Sequence, residues 1–494
     1  MAGEAKLTVV FVHGWSVTHT NTYGEFPERL KAEARRDAGL EIDTRNIWLG
    51  KYVSFHDEVR LSDISRAFEA AIRNELADVL GNGGRFACIT HSTGGPVIRD
   101  WWNRYYLSRP RRGLGPMSHL VMLAPANFGS ALGQLGKQRI GRIKSWFAGV
   151  EPGEGVLEWL ELGSPEAWEL NKSWIHRDSM TFGRRPVFPF VLTGQSIDHA
   201  LYDHVNAYTG ELGSDGVVRV AAANLNASYV ELVQQPPENG AKKDNLLVDS
   251  VYAAPQTAFR ILPNLSHSGS TMGILRSVKN DGKPHATVDS VLRCLKIKTQ
   301  KQYADLCEAF VNETAQVQND EIVETRSRLL LSDHQRIRDP FSMTIFRLCD
   351  EHGSAINDYD LKLTAGKRSS PNHLPQGFIH DTQRNSKNPN YLTFFLNHGI
   401  LMGTAVPDRR TAVKRQSELI GLEFHARPDQ GFVHFESAIL HSAVGQLGAV
   451  LRPNQTVMVD VEIKRVVHEG VFRMTQDTKP ASFKRVKPGE RLQA

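Results

Sequence analysis

Apolar runs alternate with amphipathic stretches through the first part of the chain. Residues 7–12 (Leu7-Thr8-Val9-Val10-Phe11-Val12) predict a buried strand, and residues 26–36 carry apolar positions at helical spacing among charges. The unit repeats. A strand is predicted at 47–53, a long amphipathic helix at 61–80 with Ile64, Phe68, Ala71 and Leu76 on its apolar side, a strand at 86–90, a helix at 94–106 and a strand at 120–123. Strands and helices in this alternation predict an α/β fold built on a doubly wound, mostly parallel sheet. Over 129–185 the pattern changes to Gly-interrupted amphipathic helices, read as a helical cap inserted into the fold; strands are then predicted at 187–192, 216–220 and 258–262. The first domain is expected to span 1–298.

The second half is built differently. A helical connector is predicted over 299–335, with its helix at 302–330, and beyond it apolar and polar positions alternate with period two in segments separated by Gly, Asn and Pro. In Val457-Met458-Val459-Asp460-Val461-Glu462-Ile463 the odd positions are apolar and most even ones polar, as in a half-buried strand. With similar segments at 343–348, 391–396 and 419–425, this predicts a β-rich, antiparallel sandwich-like domain over 336–494. All eight Trp lie between Trp15 and Trp174, consistent with two separately built halves.

Composition narrows the function classes. The 494 residues suffice for two domains, and no apolar stretch reaches the roughly 20 residues that a membrane-spanning helix requires. Lys and Arg exceed Asp and Glu by five (59 − 54), too mild a bias for a nucleic-acid footprint. The four cysteines have no paired spacing, which points to a reducing compartment. The start Met1-Ala2-Gly3-Glu4-Ala5-Lys6 runs straight into a strand-like segment, so no Sec-type signal is expected. The expected location is the cytoplasm, or outside it after export by another route, with peripheral contact at membranes.

The chemistry is carried by Thr90-His91-Ser92-Thr93-Gly94, which lies between the apolar run Phe86-Ala87-Cys88-Ile89 and a helix. A serine at such a strand-to-helix turn projects its hydroxyl out of the backbone, and the next N–H, that of Thr93, points at the same space. Acyl transfer by serine also needs a base, a carboxylate to orient it, and a second oxyanion donor. His13-Gly14-Trp15 follows the first strand and offers the Trp15 N–H as that donor. Asp215, in the turn Gly213-Ser214-Asp215-Gly216, is the candidate acid, and His267, in Leu265-Ser266-His267-Ser268-Gly269, the candidate base. Ser92, Asp215 and His267 fall in the Ser…Asp…His order of α/β hydrolases. Serine acyl chemistry requires no cofactor.

These motifs resemble those of bacterial α/β-hydrolase lipases related to the lecithin:cholesterol acyltransferase-like and GPI-inositol-deacylase-like families. The resemblance rests on Val12-His13-Gly14, on Thr90 to Gly95, on Leu123-Ala124-Pro125-Ala126-Asn127-Phe128-Gly129-Ser130, on Gly163-Ser164-Pro165 with Leu170-Asn171, on Ser214 to Val218 and on His267. It covers roughly the first 270 residues and implies hydrolysis of lipid carboxyl esters. One position departs: the small residue usual two places before the nucleophile is Thr90 here, whose β-branch crowds the turn.

Within the cap, Arg139-Ile140-Gly141-Arg142-Ile143-Lys144-Ser145-Trp146-Phe147 mixes basic and large apolar residues. Ile140, Ile143, Trp146 and Phe147 are the candidate lid residues, either lying on a phospholipid surface or packing on the hydrolase core. Asp198-His199 and Asp203-His204 are spaced poorly for one helix face and have no further ligand cluster, so no metal is assigned to them. The expected function is a serine-dependent phospholipase or lipase acting on membrane lipids, whose toxicity when unrestrained fits an antibacterial or antiviral-defence effector. The alternatives are an esterase or thioesterase for soluble or protein-linked acyl groups, and an inactive hydrolase scaffold that binds a partner.

Overall fold

A computed structural model describes residues 5–13, 23–48, 58–107, 115–134, 153–177, 185–197, 211–235, 246–321, 323–328, 331–337, 339–402, 419–442, 447–468, 484, 485 and 487. Strands β1 (Ala5–His13), β2 (Leu40–Trp48), β3 (Phe86–His91), β4 (Met117–Leu123) and β5 (Phe188–Thr193) lie in one sheet. The chain then leaves it for β6 (Ser228–Gln234) and β7 (Leu246–Ala253) and returns with β8 (Ala258–Ile261). The order is β2-β1-β3-β4-β5-β8, and every neighbouring pair is parallel. Among the helices are α1 (Phe26–Ala38), α2 (Leu61–Glu75), α3 (Gly94–Trp102), the cap helices α4 (Glu154–Leu160) and α5 (Pro165–Ile175), the short α6 (Val220–Ala223), and then α7 (Ala286–Leu295) and α8 (Gln300–Asp320).

Both faces of this sheet are covered, which is why its central strands read as unbroken apolar runs. On one face Phe11, Ile89, Val121 and Phe190 pack with Leu30 of α1, Val291 of α7 and Phe310 of α8. On the other, Val10, Cys88 and Met122 pack with Phe68 of α2, Trp101 of α3 and Trp168 of the cap. The helix expected at 302–330 ends at Asp320, with a strand at Val323–Arg328 in place of its last part, and it is a layer of the hydrolase: its buried stripe of Tyr303, Leu306, Cys307 and Phe310 faces the sheet, and the Tyr303 hydroxyl donates to the Pro189 carbonyl at 2.6 Å.

The later strands are the hairpin β9 (Val323–Arg328) and β10 (Leu331–Ile337), then β11 (Phe341–Asp350), β12 (Tyr359–Ala365), β13 (Ile379–Arg384), β14 (Tyr391–Asn397), β15 (Ile420–Ala426), the short β16 (Val433–Phe435), β17 (Ala438–Leu440) and β18 (Thr456–Ile463), and β11, β13, β14 and β18 join β6 and β7 in a second sheet. Its order is β13-β14-β11-β18-β6-β7, and the smaller sheet β12-β15-β17 packs on one face of it. The expected sandwich is thus present as two layers but is not purely antiparallel, because β11 with β18 and β18 with β6 run parallel. The division expected after residue 298 is crossed by β6 and β7, which complete the second sheet from within the hydrolase sequence.

The opposite face of the second sheet, with Phe341, Met343, Ile345, Phe395 and Met458, is buried in the same apolar core as the cap and α3. Burial on both sides covers β11 almost throughout, its polar positions Ser342 and Thr344 included. Two expected strands are corrected. Of the strand predicted at 47–53, residues 47 and 48 close β2, Leu40–Trp48, at the sheet edge, where half-exposed positions tolerate Glu41, Asp43 and Arg45, and residues 49–53 lie outside the described residues. Residues 216–220 form no ladder: they are a turn leading into α6, because the N–H groups of Val217 and Val218 bond to a carboxylate instead of a strand.

Candidate active site

Strand β3 ends at His91 and α3 begins at Gly94, so Ser92 occupies the turn between them with φ +54. A non-glycine residue in the left-handed region is strained, and here the turn is held on both sides: the Ser92 N–H donates to the Leu123 carbonyl at 3.0 Å, and its own carbonyl accepts from Gly95 at 3.2 Å. Thr90 is fully buried beneath this turn. A Cβ on Gly94 would lie 3.2 Å from the Thr90 Cβ, so the glycine makes the room that the β-branch takes up. Thr93 follows as the residue preceding α3, so its N–H belongs to the helix N-terminus.

Asp215 and His267 reach this turn from two loops beyond the ends of the strands. His267 Nε2 stands 3.1 Å from Ser92 Oγ, and His267 Nδ1 stands 2.9 Å from Asp215 Oδ2. Asp215 is fully buried, and its other carboxylate oxygen accepts from the N–H groups of Val217 (3.0 Å) and Val218 (2.8 Å). The His267 N–H also donates to the Asp215 carbonyl at 2.9 Å, tying the two loops together. A hydroxyl, an imidazole and a carboxylate in such a chain can deprotonate the hydroxyl and stabilise the resulting imidazolium.

His91 was not singled out in the sequence. Its ring packs against that of His267 and its Nε2 meets the His267 carbonyl. Burial first, and the neighbouring His267 second, push its imidazole down to about 3 from the usual 6.5, so it is neutral. A polar residue adjoining a nucleophile was the available signal.

The asparagines of the sequence motifs serve a buried network. Arg99 of α3 donates to Asn127 Oδ1 (3.1 Å) and Asn171 Oδ1 (2.9 Å) and lies over the Trp174 ring. Asn127 in turn donates to the Ala223 carbonyl at 2.7 Å, and Asn171 to the Asn127 carbonyl at 2.9 Å. The helix after Ser92, the cap helix α5 and the segment after Asp215 are thereby joined. Burial lowers the Arg99 guanidinium to about 9.

Trp15, the lid residues Ile140, Ile143, Trp146 and Phe147, and the Asp198-His199 and Asp203-His204 pairs lie outside the described residues. Among the described residues no cluster of His, Cys, Asp or Glu can hold a metal ion, and no helix is long and apolar enough to cross a membrane.

A strained serine between a parallel strand and a helix, with an imidazole and carboxylate delivered by later loops, defines an α/β hydrolase. The phospholipase PlaB from Legionella pneumophila is similar at 44% identity over 97% of this chain and 98% of that one, with a TM-score of 0.86. A second structure of the same phospholipase, in complex with thio-NAD, is similar at 42% identity over 99% of this chain and 100% of that one, with a TM-score of 0.84. The chain belongs to the PlaB phospholipase family, a family of lipid ester hydrolases, and is an ester-hydrolysing enzyme. No protein-family model matches the sequence and no curated protein does, so the finer likeness to the lecithin:cholesterol acyltransferase-like and GPI-inositol-deacylase-like families rests on the motifs alone.

Proposed function

We propose that the enzyme is a serine-dependent phospholipase. Ser92 Oγ attacks a fatty-acyl ester carbonyl while His267 Nε2 takes its proton, and Asp215 orients the imidazole through Nδ1. The N–H groups of Thr93 and Trp15 hold the oxyanion of the tetrahedral intermediate. Collapse of the intermediate expels the alcohol, which takes the proton from His267. Water, deprotonated by the same imidazole, then releases the fatty acid and regenerates Ser92.

The observation that carries this reading is the continuous chain from Asp215 through His267 to Ser92 at 2.9 and 3.1 Å, built on a left-handed serine. The 44% identity to a phospholipase over nearly the whole chain supports phospholipid as the substrate class. Peripheral contact with membranes, through the basic and apolar residues Arg139 to Phe147, follows from their composition. An enzyme that hydrolyses membrane lipids is toxic when unrestrained, which fits an effector role.

Phospholipid liposomes and a water-soluble short-chain ester, assayed with the parent chain and with Ser92→Ala, test the proposal. Fatty-acid release from liposomes that is lost in Ser92→Ala supports it. Hydrolysis confined to the soluble ester would make the protein an esterase, and liposome hydrolysis that survives Ser92→Ala would remove the serine mechanism.

A further inference from the structure

The loop that carries Asp215 is closed by an ion pair and braced from the second sheet. Arg219, 1% exposed, forms a two-pronged pair with Glu211: Nε to Oε2 at 2.9 Å and Nη2 to Oε1 at 2.8 Å. Glu211 and Arg219 are the two ends of the loop, and Asp215 is its midpoint. The same guanidinium pairs with Asp381 of β13, and its carbon lies 4.2 Å from the centre of the Phe395 ring on β14. Phe395 is stacked on Phe341 of β11 at 4.6 Å, and Phe341 covers Gly213 in the loop itself.

Burial works against the charge on Arg219, and the carboxylates of Glu211 and Asp381 more than offset it, so the guanidinium is held above its ordinary value. A fixed cation therefore sits four residues from the acid, clamped by a carboxylate of its own loop and by Asp381 and Phe395 of the second sheet. The orientation of Asp215 depends on the loop's closure, since its Oδ1 takes both hydrogen bonds from the loop's own N–H groups.

We propose that Asp381 and Phe395 are positioning residues for the proton-transfer chain: through Arg219 they set the direction in which Asp215 presents its carboxylate to His267. They touch no substrate. The inference rests on the triad reading above, with Asp215 as the orienting carboxylate. A carboxylate held at Nδ1 stabilises the imidazolium formed during proton transfer, so a loosened Asp215 lowers kcat and moves the acid limb of the reaction's pH profile to lower pH. A brace that served folding alone would reduce the amount of active enzyme and leave that limb in place.

The test compares the parent chain, Asp381→Asn and Phe395→Leu on a soluble p-nitrophenyl ester, with rates expressed per site labelled by a fluorophosphonate. Labelling of the parent that disappears in Ser92→Ala is the check on the triad, and its absence overturns the triad reading itself. With labelling established, Asp381→Asn is expected to lower kcat about tenfold with little change in KM, and to move the acid limb of the pH profile down by about half a unit. In an Asp215→Asn background the same substitution is expected to cost nothing further. An unchanged kcat per labelled site, an unmoved acid limb, or an equal loss in the Asp215→Asn background each overturns the positioning role while leaving the triad standing. Phe395→Leu keeps the charges and removes only the ring beneath the guanidinium; it is expected to shift the profile in the same direction by less, and it decides the matter if Asp381→Asn does not fold.

Discussion

The ring of His91 lies against that of His267 with centroids 4.8 Å apart and planes inclined at 44°, and its Nε2 is 3.3 Å from the His267 carbonyl. Because a carbonyl only accepts, His91 carries its proton on Nε2. The residue before the nucleophile thus holds the backbone of the base. Replacing His91 by Phe keeps the ring contact and removes the hydrogen bond. The expected result is a loss of about 0.5–1.5 kcal/mol in stability, with a several-fold fall in kcat, read by denaturant unfolding and ester hydrolysis.

Acid sensitivity follows from histidines buried in the neutral form. Burial pushes His91 down to about 3 and His119 down to about 4 in the folded chain, against 6.5 for each when unfolded. Between these values the unfolded chain binds more protons, so stability present above pH 6.5 is lost as pH falls toward 4. His119 Nε2 donates to the Ile297 carbonyl at 2.8 Å, and its Nδ1 lies 2.9 Å from Ser118 Oγ. In His119→Gln the slope of stability against pH in that window is expected to flatten by about 1.4 kcal/mol per pH unit, measurable by urea unfolding at several pH values.

Gly213 has φ +75, and a Cβ there would meet the Phe341 ring at 2.5 Å. Gly213→Ala is therefore expected to cost about 1–3 kcal/mol from overpacking and backbone strain, and to reduce kcat because the same loop carries Asp215. Adding Phe341→Leu is expected to restore part of the stability. Thermal unfolding of the single and double variants checks this.

Asp215→Asn leaves the shape of the triad and removes its charge, favouring the wrong imidazole tautomer. By analogy with the serine-protease triad, kcat is expected to fall about 10⁴-fold with the fold intact. Stopped and steady-state ester assays, with circular dichroism as the folding control, measure it.

The hydrolase half was readable because its strands are buried on both faces and its motifs are local. The run 86–90, the serine after it, and the candidates Asp215 and His267 each announce themselves within a few residues, and the geometry brings all three together. What stayed hidden depends on distant pairing. Nothing in Ser228–Gln234 says that its neighbour is Thr456–Ile463, and the Arg219–Asp381 pair joins residues whose only local trace is the opposite charge of Glu211 and Arg219. Val217 and Val218 read as strand because they are apolar and buried, yet their N–H groups serve a carboxylate. The core that receives the helix of the expected connector was not legible, because an apolar stripe does not disclose which sheet it will face.

The placement of β18 between β11 and β6 bears on the order in which a ribosome-bound polypeptide can mature. A nascent chain that has already emerged as far as His267 holds all three reacting side chains but still lacks the strand against which β6 aligns. The sheet that braces the Asp215 loop is therefore complete only once residues far beyond His267 have been made.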